Sequence, residues 1–256
     1  MLRSIAMAVG LVAAIPCLVA QDRPFLPTPQ DGFPPLQNVA GSNDERGAVD
    51  SALDLLTQMR VECNHLSGVS KISSGDIALL RDLHNSRLIT KSGFLGKDAG
   101  AADTVARTTH EAQAPDGSRV YTGAKGNGIG LNPDLFHLVG GEMCYGTART
   151  ARACRIQLAA ILYGEVAHQN LRCRFGALSG NPKADPPGTP GQQTEPQNKE
   201  NLRKSEVDAA QRAIDLLVYA IECFNSQLLP PLSAEELSDL QDTIKSLEGF
   251  KKANGG

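Results

Sequence analysis

The stretch Leu158–Asn170, with the sequence LAAILYGEVAHQN, lies in a helical pattern that runs from Thr147 to about Arg172. The apolar positions along one stripe of this helix are Ala151, Cys154, Leu158 and Ile161. The same stripe then reaches Glu165 and His168. Burying a charge is costly unless the charge is paired or bound to a metal. A core-facing stripe that ends in an acid and an imidazole therefore marks a candidate functional site.

Helical periodicity also dominates the rest of the chain. It predicts further helices at Asp44–Leu66, from Ser73 or Ser74 onward, at Ser205–Leu228, and from Ser233 onward with a capping box to Glu236. Short β-prone segments occur at Arg119–Thr122 and Ile129–Asn132, and the turn-forming pair Asn127-Gly128 lies between them. These segments predict a small hairpin or edge strands. The expected fold class is mainly α with a small β element, an α+β fold.

The N-terminal 20 residues have the pattern of an export signal. Arg3 is followed by an apolar run that is too short to span a bilayer, and cleavage is expected after Ala20. Residues 21–42 are rich in proline and predict an extended segment, and residues 43–252 predict a single globular domain. Within this domain the Pro/Gly/Gln-rich residues 179–201 predict an exposed, mobile loop. The alternative for the apolar run is an N-terminal membrane anchor.

Composition excludes several classes of function. The 256 residues include 25 Lys and Arg and 28 Asp and Glu, so the net charge of −3 argues against binding nucleic acid or anionic membranes through bulk charge. Export would leave five cysteines, Cys63, Cys144, Cys154, Cys173 and Cys223. Two disulfides and one free thiol are the simplest arrangement, and the sequence leaves the pairing open. We expect a secreted or periplasmic protein with no membrane span in the mature chain.

The five residues 164–168, Gly-Glu-Val-Ala-His, resemble the His-Glu-x-x-His helix of the zincin metallopeptidases. In that family two histidines bind zinc and the glutamate is the general base. The resemblance implies that Glu165 is the catalytic base and His168 a zinc ligand, with Gly164 in place of the first ligand. In the Glu-ligand branch of the zincins a glutamate on a later helix is the third ligand. Glu206, within residues 205–210, matches it.

A second segment extends the resemblance. Residues Ile129–Pro133 resemble the edge strand that lines the substrate cleft of the zincins. The order of strand, helix, loop and helix over residues 119–228 also matches, so the resemblance implies a zincin-like helix core. Zinc is the cofactor that the family implies, and its site is incomplete because Gly164 offers no donor atom. Gly164 also lies inside a helix, so we expect the backbone to tolerate a histidine there.

Three functions follow from this reading. The first is a secreted, degenerate metallopeptidase that binds a peptide or a protein without cleaving it. The alternative is a non-enzymatic secreted helical protein with an interaction or structural role. In that case Glu165 and His168 would be an ordinary helix pair, and Glu206 would interact with the helix dipole. The second alternative is an active zinc-dependent hydrolase with an unusual ligand set.

Overall fold

A computed structural model describes residues 39–66, 72–92, 97, 106–109, 111–113, 119–121, 128–175, 195–226 and 230–256. The expected signal peptide (residues 1–20), most of the proline-rich segment and residues 179–194 of the expected loop lie outside these residues. The described residues are mainly helical with a small β component, as the sequence predicts. Among them, no helix combines the length and the apolar character that crossing a membrane requires.

Five α-helices form most of the described structure. They are α1 (Glu45–Cys63), α2 (Ser74–Asn85), α3 (Ala151–Phe175), α4 (Glu195–Asn225) and α5 (Ala234–Ala253). Three of them begin after a side chain that accepts a hydrogen bond from a first-turn amide: Asp44 before α1, Ser73 before α2 and Ser233 before α5. Glu236 completes the predicted capping box by accepting from the backbone amide of Ser233. Local sequence therefore sets the start of these helices.

Seven short strands accompany the helices in the described residues. They are β1 (Ile89–Lys91), β2 (Ala106–Thr109), β3 (Glu111–Gln113), β4 (Arg119–Tyr121), β5 (Gly128–Leu131), β6 (Phe136–Val139) and β7 (Glu142–Tyr145). One sheet has the strand order β1-β5-β2, with β5 parallel to β1 and antiparallel to β2. The pairs β3–β4 and β6–β7 form two antiparallel hairpins.

The strand pairing differs from the expectation in three ways. β4 pairs with β3 rather than with β5, so the predicted hairpin through Asn127-Gly128 is wrong. β5 lies between β1 and β2, so the segment Ile129–Pro133 does not provide an edge strand. The β6–β7 hairpin was not predicted, although Gly140 and Gly141 at its turn both have positive φ, 60° and 87°, as tight hairpin turns require.

Helix α3 lies at the centre of the core, where it packs against α1, α4 and α5. Its fully buried side chains are small or aliphatic, among them Ala153, Ile156, Leu158, Ala159, Leu162 and Val166. Helix α4 begins at Glu195, inside the segment that was expected to be a loop, and it ends at Asn225. The expected loop boundary at residue 201 is therefore wrong, because the first turns of α4 occupy residues 195–201.

Two disulfides join elements of the described residues, which confirms that the protein contains disulfides. Cys63 at the end of α1 is bonded to Cys223 near the end of α4, and Cys144 of β7 is bonded to Cys154 in the first turn of α3. The side chain of Cys173 lies outside the described part of the structure. The two bonds attach α3 to the β6–β7 hairpin and α4 to α1.

Candidate functional site

The candidate site lies where α3 crosses α4, and Gly164 is at the closest approach. A Cβ atom placed on Gly164 would be 2.8 Å from the carbonyl oxygen of Ala209 and 3.4 Å from the Cβ of Ala213. The first of these atoms belongs to the backbone of α4, so it cannot move without moving the helix. The expectation that the backbone would tolerate histidine at this position is wrong, because α4 occupies the space.

His168 lies one turn after Gly164 on α3, and it contacts the turn of α4 that precedes Ala209. Its Nδ1 is hydrogen-bonded to the hydroxyl of Ser205, and its Nε2 lies 3.7 Å from Oε2 of Glu206. This register, in which Gly164 faces Ala209 and His168 faces Ser205, is that of two antiparallel helices. The structure thus brings together two of the predicted metal ligands, His168 and Glu206, across the helix interface.

Burial and nearby carboxylates act in opposite directions on His168. Burial lowers the pKa of His168 below its ordinary value, and the negative charges of Glu206 and Asp208 partly offset this effect. The imidazole is therefore neutral at neutral pH. With one nitrogen protonated, it can hydrogen-bond Ser205 on one side and present its other nitrogen toward Glu206.

Glu165 is buried, with 8% of its surface exposed, and its charge affects Tyr145 rather than His168. Burial raises the pKa of Tyr145, a backbone hydrogen bond at Asn132 lowers it, and the charge of Glu165 raises it further. The hydroxyl of Tyr145 accepts a hydrogen bond of 2.8 Å from the amide of Asn132, directly after β5. The predicted catalytic base therefore lies near the end of β5, whereas the carboxylates that act on His168 are those of Glu206 and Asp208.

The donor atoms of the described residues do not fit a catalytic zinc site. The 3.7 Å between His168 and Glu206 is within reach of two ligands whose bonds to zinc are about 2 Å each. Such a site also needs a third protein ligand. Among the described residues, three potential metal ligands lie close enough to share one ion at His137, Cys144 and Cys154. The two cysteines there are joined in a disulfide. A disulfide sulfur is not a thiolate and does not bind zinc in this way.

The contact between Ser205 and His168 also does not support nucleophilic catalysis. A serine nucleophile must reach the substrate, and Ser205 is fully buried between the helices. The acidic partner, Glu206, is the more exposed end of the cluster, with 38% of its side chain accessible. The arrangement His168–Ser205–Glu206 can therefore hold a proton and stabilise the helix crossing, and it can offer Glu206 to a ligand.

Sequence reasoning missed the role of Ser205. It placed Ser205 at the start of a helix and gave Glu206 a first-turn position near the helix dipole. Since α4 begins at Glu195, both residues lie in the helix interior and the dipole explanation is wrong. The available signal was spacing, because Ser205 and Ala209 are four residues apart, as are His168 and Gly164, and two such faces match in antiparallel helices.

A second cross-helix cluster lies beside the first and was also missed. The guanidinium of Arg212 on α4 lies 4.6 Å from the ring centre of Tyr163 on α3 and is paired with Asp76 on α2. The hydroxyl of Tyr163 accepts a hydrogen bond of 3.2 Å from the amide of Ser73. This cluster connects α2, α3 and α4 and gives the buried carboxyl group of Asp76 a cationic partner.

Comparison with known proteins gives no family assignment. No family model matches the chain, and no curated protein or solved structure matches it either.

Proposed function

We propose that this chain is a secreted, zincin-like protein, a degenerate metallopeptidase whose incomplete zinc site binds a peptide or protein without cleaving it. One observation carries the proposal. His168 and Glu206 converge across α3 and α4 with 3.7 Å between Nε2 and Oε2, as two ligands of one metal would. At the position of the first ligand, Gly164 is in contact with α4 instead.

The loss of cleavage follows from the number of ligands. Catalytic zinc is held by three protein ligands, and its fourth position holds the water that a general base deprotonates. Two ligands hold zinc weakly, so little of the hydroxide that attacks a peptide bond would form. The side chain of Glu206 is partly exposed, so a basic group on a bound peptide can contact it.

Secretion is supported by the disulfides together with the export-like N-terminal pattern. Disulfides persist in oxidising compartments and are rare in the cytosol. Cys63–Cys223 and Cys144–Cys154 are both buried, so each contributes to the core rather than to an exposed redox site.

A second candidate function, a non-enzymatic helical interaction or structural protein without peptidase ancestry, is favoured by the position of β5. In the zincins the corresponding strand is an edge strand that lines the substrate cleft. Here β5 is flanked by β1 and β2. A peptide cannot form main-chain hydrogen bonds with a strand that is already paired on both sides.

Zinc titration separates these candidates. We expect wild type to bind Zn²⁺ weakly, and His168→Ala and Glu206→Ala each to remove that binding, while none of the three proteins hydrolyses a generic protein substrate. A variant of the exposed Asp242, Asp242→Ala, is the control and should bind zinc as wild type does. Zinc binding that is unaffected by both site variants would favour the second candidate. Stoichiometric zinc in the purified protein together with hydrolysis would contradict both.

A further inference from the structure

A cavity of about 420 Å³ lies between α1, α2, β1 and β5, and none of the residues of the His168 cluster lines it. Its apolar wall is formed by Val49, Ile89, Leu131 and Phe136. Half of its polar lining is cationic, namely Arg46, Arg87 and Lys91, and the other half is Glu45, His84 and Thr90. A concave site of this size, mostly apolar with a few convergent polar groups, is typical of small-molecule binding.

The charges of this lining are unbalanced. Nζ of Lys91 is paired with Oε1 of Glu45 at 2.8 Å, so these two charges neutralise each other. Arg46 and Arg87 have no carboxylate within ion-pair distance among the residues that the structure describes. Two guanidinium groups beside an apolar wall favour an anion, and the planar guanidinium is suited to a carboxylate.

A buried histidine, His84, forms part of the cavity wall. His84 lines the cavity with only 3% of its side chain exposed, and its Nε2 lies 2.8 Å from Oδ1 of Asp50. Its Nδ1 is buried and has no hydrogen-bond partner in the described part of the chain. Leaving a buried polar atom without a partner costs about 1–3 kcal/mol. Because this nitrogen is not accessible from the cavity, it belongs to the interior of the wall and is not a contact for the ligand.

The backbone of Arg87 gives a second indication. Arg87 has φ of 59°, and it is the non-glycine residue with positive φ in the described chain. The amide of Leu88 donates to the carbonyl of Leu83 at 2.8 Å and the amide of Arg87 donates to that of His84 at 2.9 Å, which together form a Schellman motif at the end of α2. Glycine is the residue that this position favours. An arginine here places a strained backbone conformation at the rim of the cavity, as is common at binding sites.

We propose that this cavity binds a carboxylate attached to a small apolar group, with Arg46 and Arg87 holding the carboxylate and the apolar wall holding the rest. The ligand carboxylate comes either from a small organic acid or from the C-terminus of a peptide with an apolar last residue. Both carry the same chemistry, and the site does not depend on the zincin resemblance.

The test uses matched ligands on the full-length protein. We expect 3-phenylpropionate to bind at least about tenfold more tightly than 3-phenylpropionamide, because only the acid forms charge-assisted hydrogen bonds with the arginines. Acetyl-glycyl-leucine and its C-terminal amide form the second pair. Tighter binding of the free dipeptide than of 3-phenylpropionate would identify the peptide source, and the reverse order would identify the small acid. Sulfate that competes as well as either acid would overturn the proposal, since it would indicate surface charge alone.

Variants test the residues. Arg46→Gln and Arg87→Gly should each weaken binding of 3-phenylpropionate by about tenfold or more. Arg87→Gly should also raise thermal stability, because glycine suits the positive φ, so its loss of binding cannot result from unfolding. Lys245→Gln, on the exposed face of α5, is the control and should bind as wild type does. Binding that is unchanged in both arginine variants, or no saturable binding of any carboxylate by wild type, would overturn the proposal.

Discussion

At the scale of single residues, Gly164 is the position with the sharpest steric requirement. Gly164→Ala would place a Cβ 2.8 Å from the backbone oxygen of Ala209. We expect the free energy of unfolding to fall by about 1–2 kcal/mol, because forcing the helices apart costs more than the helix propensity of alanine gains. Chemical denaturation measures the change.

Gly249 provides the matched control for this substitution. It also lies inside a helix, α5, but a Cβ there would meet nothing within 4 Å. Gly249→Ala should therefore raise the free energy of unfolding by about 0.5–1 kcal/mol. Equal stabilisation by both substitutions would mean that α3 and α4 separate freely at Gly164, contrary to the packing described above.

His168 predicts a dependence of stability on pH. Burial holds its pKa in the folded protein below the ordinary value, which is near 6.5. As the pH falls below about 6.5, the unfolded chain takes up the proton first, so the folded state loses stability, by up to about 1.4 kcal/mol per pH unit for one such histidine. Above that pH the imidazole is neutral in both states and the effect vanishes.

The comparison with His168→Asn isolates this contribution. Both proteins contain the same carboxylates and the same buried His84, so their other titrations cancel in the difference. We expect denaturation midpoints measured at pH 7.5, 6.5 and 5.5 to fall less steeply for His168→Asn than for wild type. Parallel curves would show that His168 titrates alike in the folded and unfolded states, contrary to its burial.

At the scale of elements, α5 is held to α3 by Arg152. Its Nε lies 2.8 Å from Oε1 of Glu236, and its two terminal nitrogens donate to the carbonyls of Pro230 and Pro231 at 3.1 and 2.9 Å. Burial acts to raise the pKa of Glu236, but hydrogen bonds from Arg152 and Ser233 outweigh it and lower that pKa. Glu236 is therefore charged in a mostly buried position and depends on this arginine.

Arg152→Gln should loosen α5 before it loosens the rest of the core. The change leaves the carboxylate of Glu236 without its main partner, and we expect a loss of about 2 kcal/mol with faster amide exchange in α5. Lys245→Gln removes the exposed pair with Asp242 on the same helix and should cost less than about 1 kcal/mol. Uniform acceleration of exchange over α1, α3 and α5 would contradict a local role for Arg152.

At the scale of the whole molecule, the two disulfides allow a direct comparison of loop length. Cys63–Cys223 joins residues 160 apart in sequence, and Cys144–Cys154 joins residues 10 apart. All four cysteines are at most 1% exposed, so the loss of side-chain burial is similar for both pairs. Restriction of the unfolded chain predicts a contribution of about 5 kcal/mol for the first bond and about 3 kcal/mol for the second.

Replacing each pair by alanines measures these contributions. Cys63→Ala with Cys223→Ala should lower the free energy of unfolding more than Cys144→Ala with Cys154→Ala. We predict which of the two losses in the free energy of unfolding is larger, and not their absolute size, since both double variants carry the same chemical change. A larger loss from the short loop would mean that its effect comes from orienting β7 against α3 and not from chain entropy.

Local sequence determined the helices of this protein. The start of α1 at Asp44, of α2 at Ser73 and of α5 at Ser233 follows from capping side chains and apolar spacing within a few residues. The candidate pair of His168 and Glu206 was also predictable, because a resemblance in motif order placed both on the two helices that meet. The helix starts depend on interactions that are close along the chain, where sequence patterns are informative.

Only the tertiary structure decided the rest. The position of β5 between β1 and β2, the choice of Cys63–Cys223 and the contact of Gly164 with Ala209 each join residues far apart in sequence. A glycine that replaces a zinc-binding histidine and a glycine that allows two helices to pack closely have the same sequence pattern. The two cases differ in which atoms of the neighbouring helix face the glycine. The positions of those atoms depend on how the whole chain packs, because the space around a residue is set by every element that surrounds it.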